Sequence, residues 1–370
     1  MSFAVNGTTG ITFNDNTNMA TAASLGPRNR IINGNMAIDQ RNNGASGTAV
    51  NAYTVDRWYY NATQSSKGTW QQNAGSVTPP AGFTNYLGFT SSSSYSVTST
   101  DIFGIQQYIE GFNVADLAWG TANAKTITLS FWVYSSLTGT FGGAIKYYGA
   151  SVTYPFSYTI SSANTWTQIS VTIAGNTSNA LPSTTSGGAL IINFALGAGS
   201  SQSGTAGSWQ SASYLSTSGA VSVVGTSGAT FYVTGVQFEV GSVATPYQFN
   251  TYSDQLAQCQ RYYQKSYIQG TVPGSSVTSG AGGVLFTTSS GASVIVGGPT
   301  SFPVTMRTSP TLTVYDNAGT SGKVSILYSG SWSNGVTPSN TIVLNQDRVF
   351  VNILGSVQNM SFDYTVSAEL

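Results

Sequence analysis

One run in this chain changes its periodicity, and it limits how the remainder can fold. From Phe231 onward apolar residues alternate with polar ones, through Val233 and then Val236, Phe238 and Val240. Period two is the pattern of a half-buried strand, and Gly235, between the two halves, offers a bulge or bend. The segment Ala244-Thr245-Pro246-Tyr247 stops the strand, because Pro246 has no backbone N–H to give a ladder. Ser253 is then placed to cap a short helix whose Leu256, Cys259, Tyr262 and Tyr263 fall on one face. No other stretch has a convincing helical period, so a β-domain is expected on either side of this one.

Composition supports many strands and turns. Of 370 residues, 40% are hydrophobic and 12% aromatic, which is too apolar for a disordered chain, and only 6% are charged. Val, Ile, Phe, Tyr and Thr are spread evenly and punctuated by Gly, Ser and Asn, the residues of strands and tight turns. Twelve basic residues balance twelve acidic ones. No basic stripe is available to neutralise phosphates, so no nucleic-acid partner is expected. No apolar run approaches the ~20 residues that span a bilayer, so no membrane insertion is expected. The N-terminus lacks the basic and apolar regions of a signal peptide, and a chain made in the cytosol and not secreted is expected. The single cysteine, Cys259, rules out an internal disulfide framework and reads as a small buried apolar residue.

In chain order, residues 1–27 are polar and too poor in apolar groups to bury a core, so they read as an arm ordered against partner chains. A strand signal covers 10–13. A first β-domain runs from 28 to 250, with strands expected at 54–61, 125–134, 140–148, 166–173, 189–196 and 230–240. Long Gly/Ser loops are expected at 79–98, 174–188 and 197–217. Short strands separated by turn clusters argue for a sandwich or jelly roll. A linking helix falls within 251–269. A smaller β-sandwich follows over 270–370, with strands expected at 284–287, 293–296, 311–315, 323–328, 341–344, 348–353 and 360–368, so that the C-terminus is pinned in a sheet.

The chain contains no histidine, which removes imidazole catalysis and His-based metal sites, and one cysteine cannot build a thiolate cluster. There is no phosphate-binding glycine loop and no βα unit to hold a dinucleotide, so no cofactor is expected. A jelly roll can hold Ca²⁺ through carbonyls and a carboxylate, but nothing in the sequence indicates where, and any metal is left unknown. Glycoside hydrolysis needs only two carboxylates. Asp39, Asp56, Asp101, Glu110 and Asp116 are the candidates; Asp56 and Glu110 also have structural readings, Asp56 as a strand-entry ion pair with Arg57, and Glu239 reads as a strand-end cap or a partner of Arg57. The aromatic residues are the better clue. Sugars stack their C–H faces on exposed rings, and Tyr147, Tyr148, Trp209 and Trp332 stand in Gly/Ser-rich loops or strand ends beside amides and hydroxyls. Trp58, Trp119, Trp132 and Trp166 sit within apolar alternation and are expected in the core.

Several blocks in order resemble a family of phage tail-fibre proteins. They are NRIINGNMAIDQRNNG (29–44), YTVDRWYY (53–60), IQQYIEGFNVADLAWG (105–120), TLSFWVYSSLTGTF (128–141), the E-x-G-x-x-A-T-P and C-x-R-Y-Y elements within 239–263, FPVTMRTSPTLTVYDNAGTSGKV (302–324) and FDYTVSAEL (362–370). The resemblance covers most of 28–370. It selects a jelly-roll, carbohydrate-binding-module-like first domain, followed by the short helix and the C-terminal β-domain. It further implies a virion protein that acts as a homotrimer, attaches to tail or baseplate proteins through residues 1–27, and binds a host surface polysaccharide without catalysis. A capsid-decorating spike or baseplate component, and a polysaccharide depolymerase, are the competing expectations.

Overall fold

A computed structural model describes residues 28–278, 283–287, 294–355 and 357–370, together with the strand backbone at 4–6, 10–12 and 18–19. Those three N-terminal segments form a small antiparallel sheet. The expectation of a partner-ordered arm over 1–27 otherwise lies outside the described residues.

Residues 28–250 fold as a jelly-roll sandwich. One sheet has six strands in the order Thr153–Ile160, Gly139–Tyr147, Gly188–Ala198, Ile102–Glu110, Trp58–Ala62 and Ala52–Tyr53. The other has five, in the order Thr167–Ile173, Ile127–Ser135, Thr230–Val240, Leu87–Ser91 and Gly68–Gln72. Alternation decides which side chains lie between them: Trp58 and Tyr60, Phe103 and Ile105, Phe131 and Val133, and Leu190, Ile192 and Phe194 all enter one core. Burial of each such side chain contributes about 1.5–3 kcal/mol.

Thr230–Val240 lies at the centre of its sheet, and its pairing with Ile127–Ser135 shifts register between Thr234 and Gln237. Gly235 sits in that shift at φ 61, so it makes the expected bulge and keeps Val233, Val236 and Phe238 all facing the core.

Several strands escaped the sequence pattern for identifiable reasons. Ile102–Glu110 carries Gln106 and Gln107, buried amides that break its alternation. Thr153–Ile160 contains Pro155, which a strand tolerates because this one lies at the sheet edge. Leu87–Ser91 and Gly68–Gln72 are five-residue strands, and the former lies inside the expected 79–98 loop.

The helix is shorter than its periodicity implied. It spans Tyr252–Gln260, and its N-cap is Thr251, not Ser253: the Thr251 hydroxyl accepts the Asp254 N–H. Tyr262 lies just beyond the helix, and Tyr263 opens the strand Tyr263–Lys265. That strand pairs with the terminal strand Asn359–Ser367, which also takes Val284–Thr287, Thr311–Tyr315 and Val324–Tyr328 as neighbours. The hairpin partner Ser331–Val336 completes this sheet. A second sheet of Val294–Ser301, Arg348–Gly355 and Asn340–Val343 packs Val349, Val351 and Ile353 against Met360, Phe362, Tyr364 and Val366. The C-terminus is therefore anchored mid-sheet.

Candidate functional site

Two features stand out: a buried charge cluster where the sandwiches meet, and an open strip of tyrosines on the outer face of the six-stranded sheet.

In the cluster, Glu369 accepts Arg41 Nη2 at 2.9 Å and also Arg57 Nη1. Arg57 donates to the Tyr108 carbonyl at 2.6 Å and lies 3.6 Å over the Tyr262 ring. Glu110 takes both Arg261 Nε (3.0 Å) and Nη2 (2.6 Å) and the Tyr262 hydroxyl (2.5 Å). Arg307 bridges the carbonyls of Ser186, Ala368 and Glu369. These charge-assisted bonds join residues of the first sandwich to the helix end and the chain terminus, so the cluster is a structural clasp.

The carboxylates weighed for hydrolysis are each engaged by the fold's own donors. Asp56 and Arg57 do not pair: both lie in the turn between Ala52–Tyr53 and Trp58–Ala62, where Arg57 adopts φ 72 and reaches Glu369. Asp56 instead takes the Gln40 backbone and side-chain N–H groups and Arg41, and burial pushes its carboxyl above the usual range despite them. Asp39 ties the turn through the Asn42 and Gly44 N–H groups. Asp101 is buried, which opposes its ionisation, yet donors from Thr98, Thr63 and Tyr95 hold its carboxyl well below the usual range. Asp116 pairs with Arg30 and Lys125 at the surface. Glu239 caps the turn at Thr245 through its N–H and hydroxyl and has no bond to Arg57.

The strip is built by strand parity. Trp58 and Tyr60 point into the core, so Tyr59 points out; Ile105 and Ile109 point in, so Tyr108 points out. Tyr148 follows Gly139–Tyr147 and lays its ring over Gly188, where a methyl group would come within 2.6 Å of it. The rings of Tyr148, Tyr108, Tyr59 and Tyr53 follow one another across the sheet at centroid separations of 5.9, 5.6 and 5.1 Å. Neighbouring rings are turned by 80°, 69° and 69°, edge to face, and the Arg41 guanidinium lies 4.8 Å over the Tyr53 ring. Tyr148 is 37% exposed, and the other three are half-buried.

The strip has polar margins. The Tyr108 hydroxyl donates to Gln106 Oε1 at 3.1 Å. Lys146 faces the same side, in register with Ile191, which is in turn in register with Tyr108. At one end Tyr53 meets the terminus, its hydroxyl 3.3 Å from the Leu370 carbonyl. At the other side the 199–221 loop covers the sheet, with Asn193 Nδ2 donating to the Leu215 carbonyl at 2.6 Å and the Gln210 backbone paired to Thr153.

The four aromatic residues singled out from sequence do not form one site. Tyr148 lies on the strip. Tyr147, one residue earlier, is 1% exposed; it stacks on Trp119 at 6.1 Å and donates to the Asn179 carbonyl, so it is core and not a surface ring. Trp209 is half-buried, edge-on to Trp119, Tyr147 and Tyr154, and its indole N–H is spent on the Ala174 carbonyl at 2.8 Å. Trp332 lies in the other sandwich, half-exposed opposite Leu327. Trp58 and Trp119 are core as expected. Trp132 and Trp166 are half-buried outside it; Trp166 joins Tyr86, Tyr134 and Tyr232 in a satellite cluster. Tyr53, Tyr59 and Tyr108 were missed because each looks like an ordinary strand residue until the strands are placed side by side.

In sequence, neither a family profile nor a curated protein matches the chain. Solved structures similar in fold include a family 11 carbohydrate-binding module from Clostridium thermocellum in complex with a β-1,3-1,4-mixed-linked tetrasaccharide. It is 12% identical, with a TM-score of 0.29, over 54% of this chain and 98% of that one. A family 61 module in complex with β-1,4-galactotriose is 10% identical, with a TM-score of 0.30, over 59% and 100%. A tandem family 22 module pair from Paenibacillus barcinonensis is 10% identical, with a TM-score of 0.26, over 94% and 92%. The protein is all-β, with sandwich sheets of jelly-roll type.

Proposed function

We propose that this chain is a glycan-binding fibre protein of a phage virion, and that it holds sugar on the tyrosine strip of the six-stranded sheet. The observation that carries the reading is the strip itself: four neighbouring rings on the outer sheet face, Tyr148 exposed and the other three half-buried, with the Lys146 ammonium on the same side. Rings of this kind stack on the C–H faces of sugars. The resemblance of several sequence blocks to tail-fibre proteins supports the virion setting. On this reading residues 1–27 attach to tail or baseplate proteins and the chain acts as a homotrimer without catalysis. Three weak sites on one fibre then give strong avidity for a repetitive polysaccharide.

The test is binding of labelled full-length protein to host cells with and without periodate oxidation of their surface sugars. Wild-type binding is expected to be periodate-sensitive. A Tyr108→Ala/Tyr148→Ala double variant is expected to lose it at least tenfold while keeping its far-ultraviolet spectrum and sedimentation behaviour. Periodate-insensitive binding, or a folded double variant that binds as the wild type does, would refute the assignment. Release of reducing ends during binding would turn the reading to a depolymerase.

A further inference from the structure

Lys146 is the residue on this face that the fold itself leaves unused. Its strand neighbours Ile145 and Tyr147 enter the core, so its side chain stands on the outer face, across Ile191 from Tyr108 and two residues from Tyr148. Apart from Arg28, at the start of the sandwich, the other basic side chains around it are committed. Arg30 and Lys125 hold Asp116, Arg41 and Arg57 hold Glu369, and Arg261 holds Glu110, while Lys67 lies 4.6 Å over the Tyr95 ring. Among the described residues, no ion pair or side-chain hydrogen bond engages Lys146. Ile191 beside it is buried although it points away from the core. Partial burial of the ammonium lowers its pKa, and no neighbouring carboxylate offsets that effect. A half-buried cation without a counterion is costly in a chain that pairs its charges elsewhere, and such a group in an open site awaits an anion from outside.

We infer that the polysaccharide bound by the tyrosine strip is acidic, and that Lys146 pairs with a carboxylate or sulfate group on a sugar whose ring lies against Tyr108 or Tyr148. The inference rests on the glycan-binding reading and adds the charge class of the ligand. The tyrosines supply contact common to neutral and acidic sugars. Lys146 adds one charge-assisted bond that only an anionic residue can make, in a partly desolvated setting where salt screens it incompletely.

The experiment is calorimetric titration of the full-length protein with three acidic probes: oligogalacturonate, α2,8-linked N-acetylneuraminate oligomers and chondroitin sulfate oligosaccharides. Each is compared with its carboxyl-reduced or desulfated counterpart. At least one acidic probe is expected to bind fivefold or more tighter than its neutral counterpart. Lys146→Met is expected to bring that probe down to the neutral value without altering the neutral value, and Lys146→Arg to keep most of the preference. Equal affinity for both forms, an unchanged preference in Lys146→Met, or binding confined to neutral probes overturns the acidic assignment and leaves the glycan reading standing. If the wild type binds no probe of either kind, the acidic assignment falls. If Tyr108→Ala/Tyr148→Ala also leaves cell binding intact, the glycan reading falls with it.

Discussion

Replacing Glu369 by Gln tests whether the charge cluster couples the two sandwiches. Its carboxylate sits between Arg41 and Arg57, with the Glu369 side chain 7% exposed and that of Arg57 1% exposed. Gln is nearly isosteric but cannot neutralise two guanidinium groups. Breaking a buried pair by removing one partner costs about 3–5 kcal/mol, because the other charge stays buried without a counterion. Here Arg57 keeps the Tyr108 carbonyl and the Tyr262 ring, which places the loss at the lower end, about 3 kcal/mol. That is roughly a hundredfold in the folding equilibrium. Because the pair spans 312 positions of chain, the loss falls on the junction and not on either core. Urea unfolding followed by tryptophan fluorescence is the assay, since six of the seven tryptophans lie in the first sandwich and Trp332 reports on the second. The variant is expected to unfold in two separated steps, with the step reported by Trp332 moved to lower urea. Arg57→Met should cost less in this background than in the wild type, since the interaction the two side chains share is already gone. A single transition shifted by less than about 0.5 kcal/mol, the scale of an ordinary surface change, would refute the clasp.

Three other outcomes are expected. Asp101 has a folded-state pKa held below its unfolded value, so its contribution to stability is present above the unfolded pKa and is lost as pH falls through the folded one; the stability gap between wild type and Asp101→Asn should narrow below about pH 4 in acid-denaturation curves. Gly188→Ala places a methyl group against the Tyr148 ring and should weaken glycan binding severalfold by displacing it, with the thermal midpoint measured alongside to separate unfolding from loss of the site. Trp209→Ala removes a ring that closes one end of the core and should cost about 2–4 kcal/mol in urea unfolding, below the loss for a fully buried Trp, while binding by the folded protein stays near wild type.

Local chemistry alone was enough to define much of this protein. Alternation at 230–240 placed a central strand, Gly235 placed its bulge, and the change of period after Pro246 placed the single α-helix among the described residues. These are properties of neighbours in the chain, and neighbours can be read off. Parity was the first thing that could not be. Tyr147 and Tyr148 are adjacent and chemically identical, yet one is core and the other surface, because successive strand residues point to opposite faces and only the packed sheet says which face is covered. No local pattern sends Arg57, a turn residue at φ 72, to Glu369.

The second was company. Tyr53, Tyr59, Tyr108 and Tyr148 belong to separate segments, and no spacing in the chain records that their strands lie side by side. Nor does any spacing record that Arg261 reaches Glu110 across 151 positions. Sequence thus decided the kind of structure and its element types, which depend on local conformational preference. Tertiary pairing decided the site, because a binding face is made of residues that meet only once the sheet has formed.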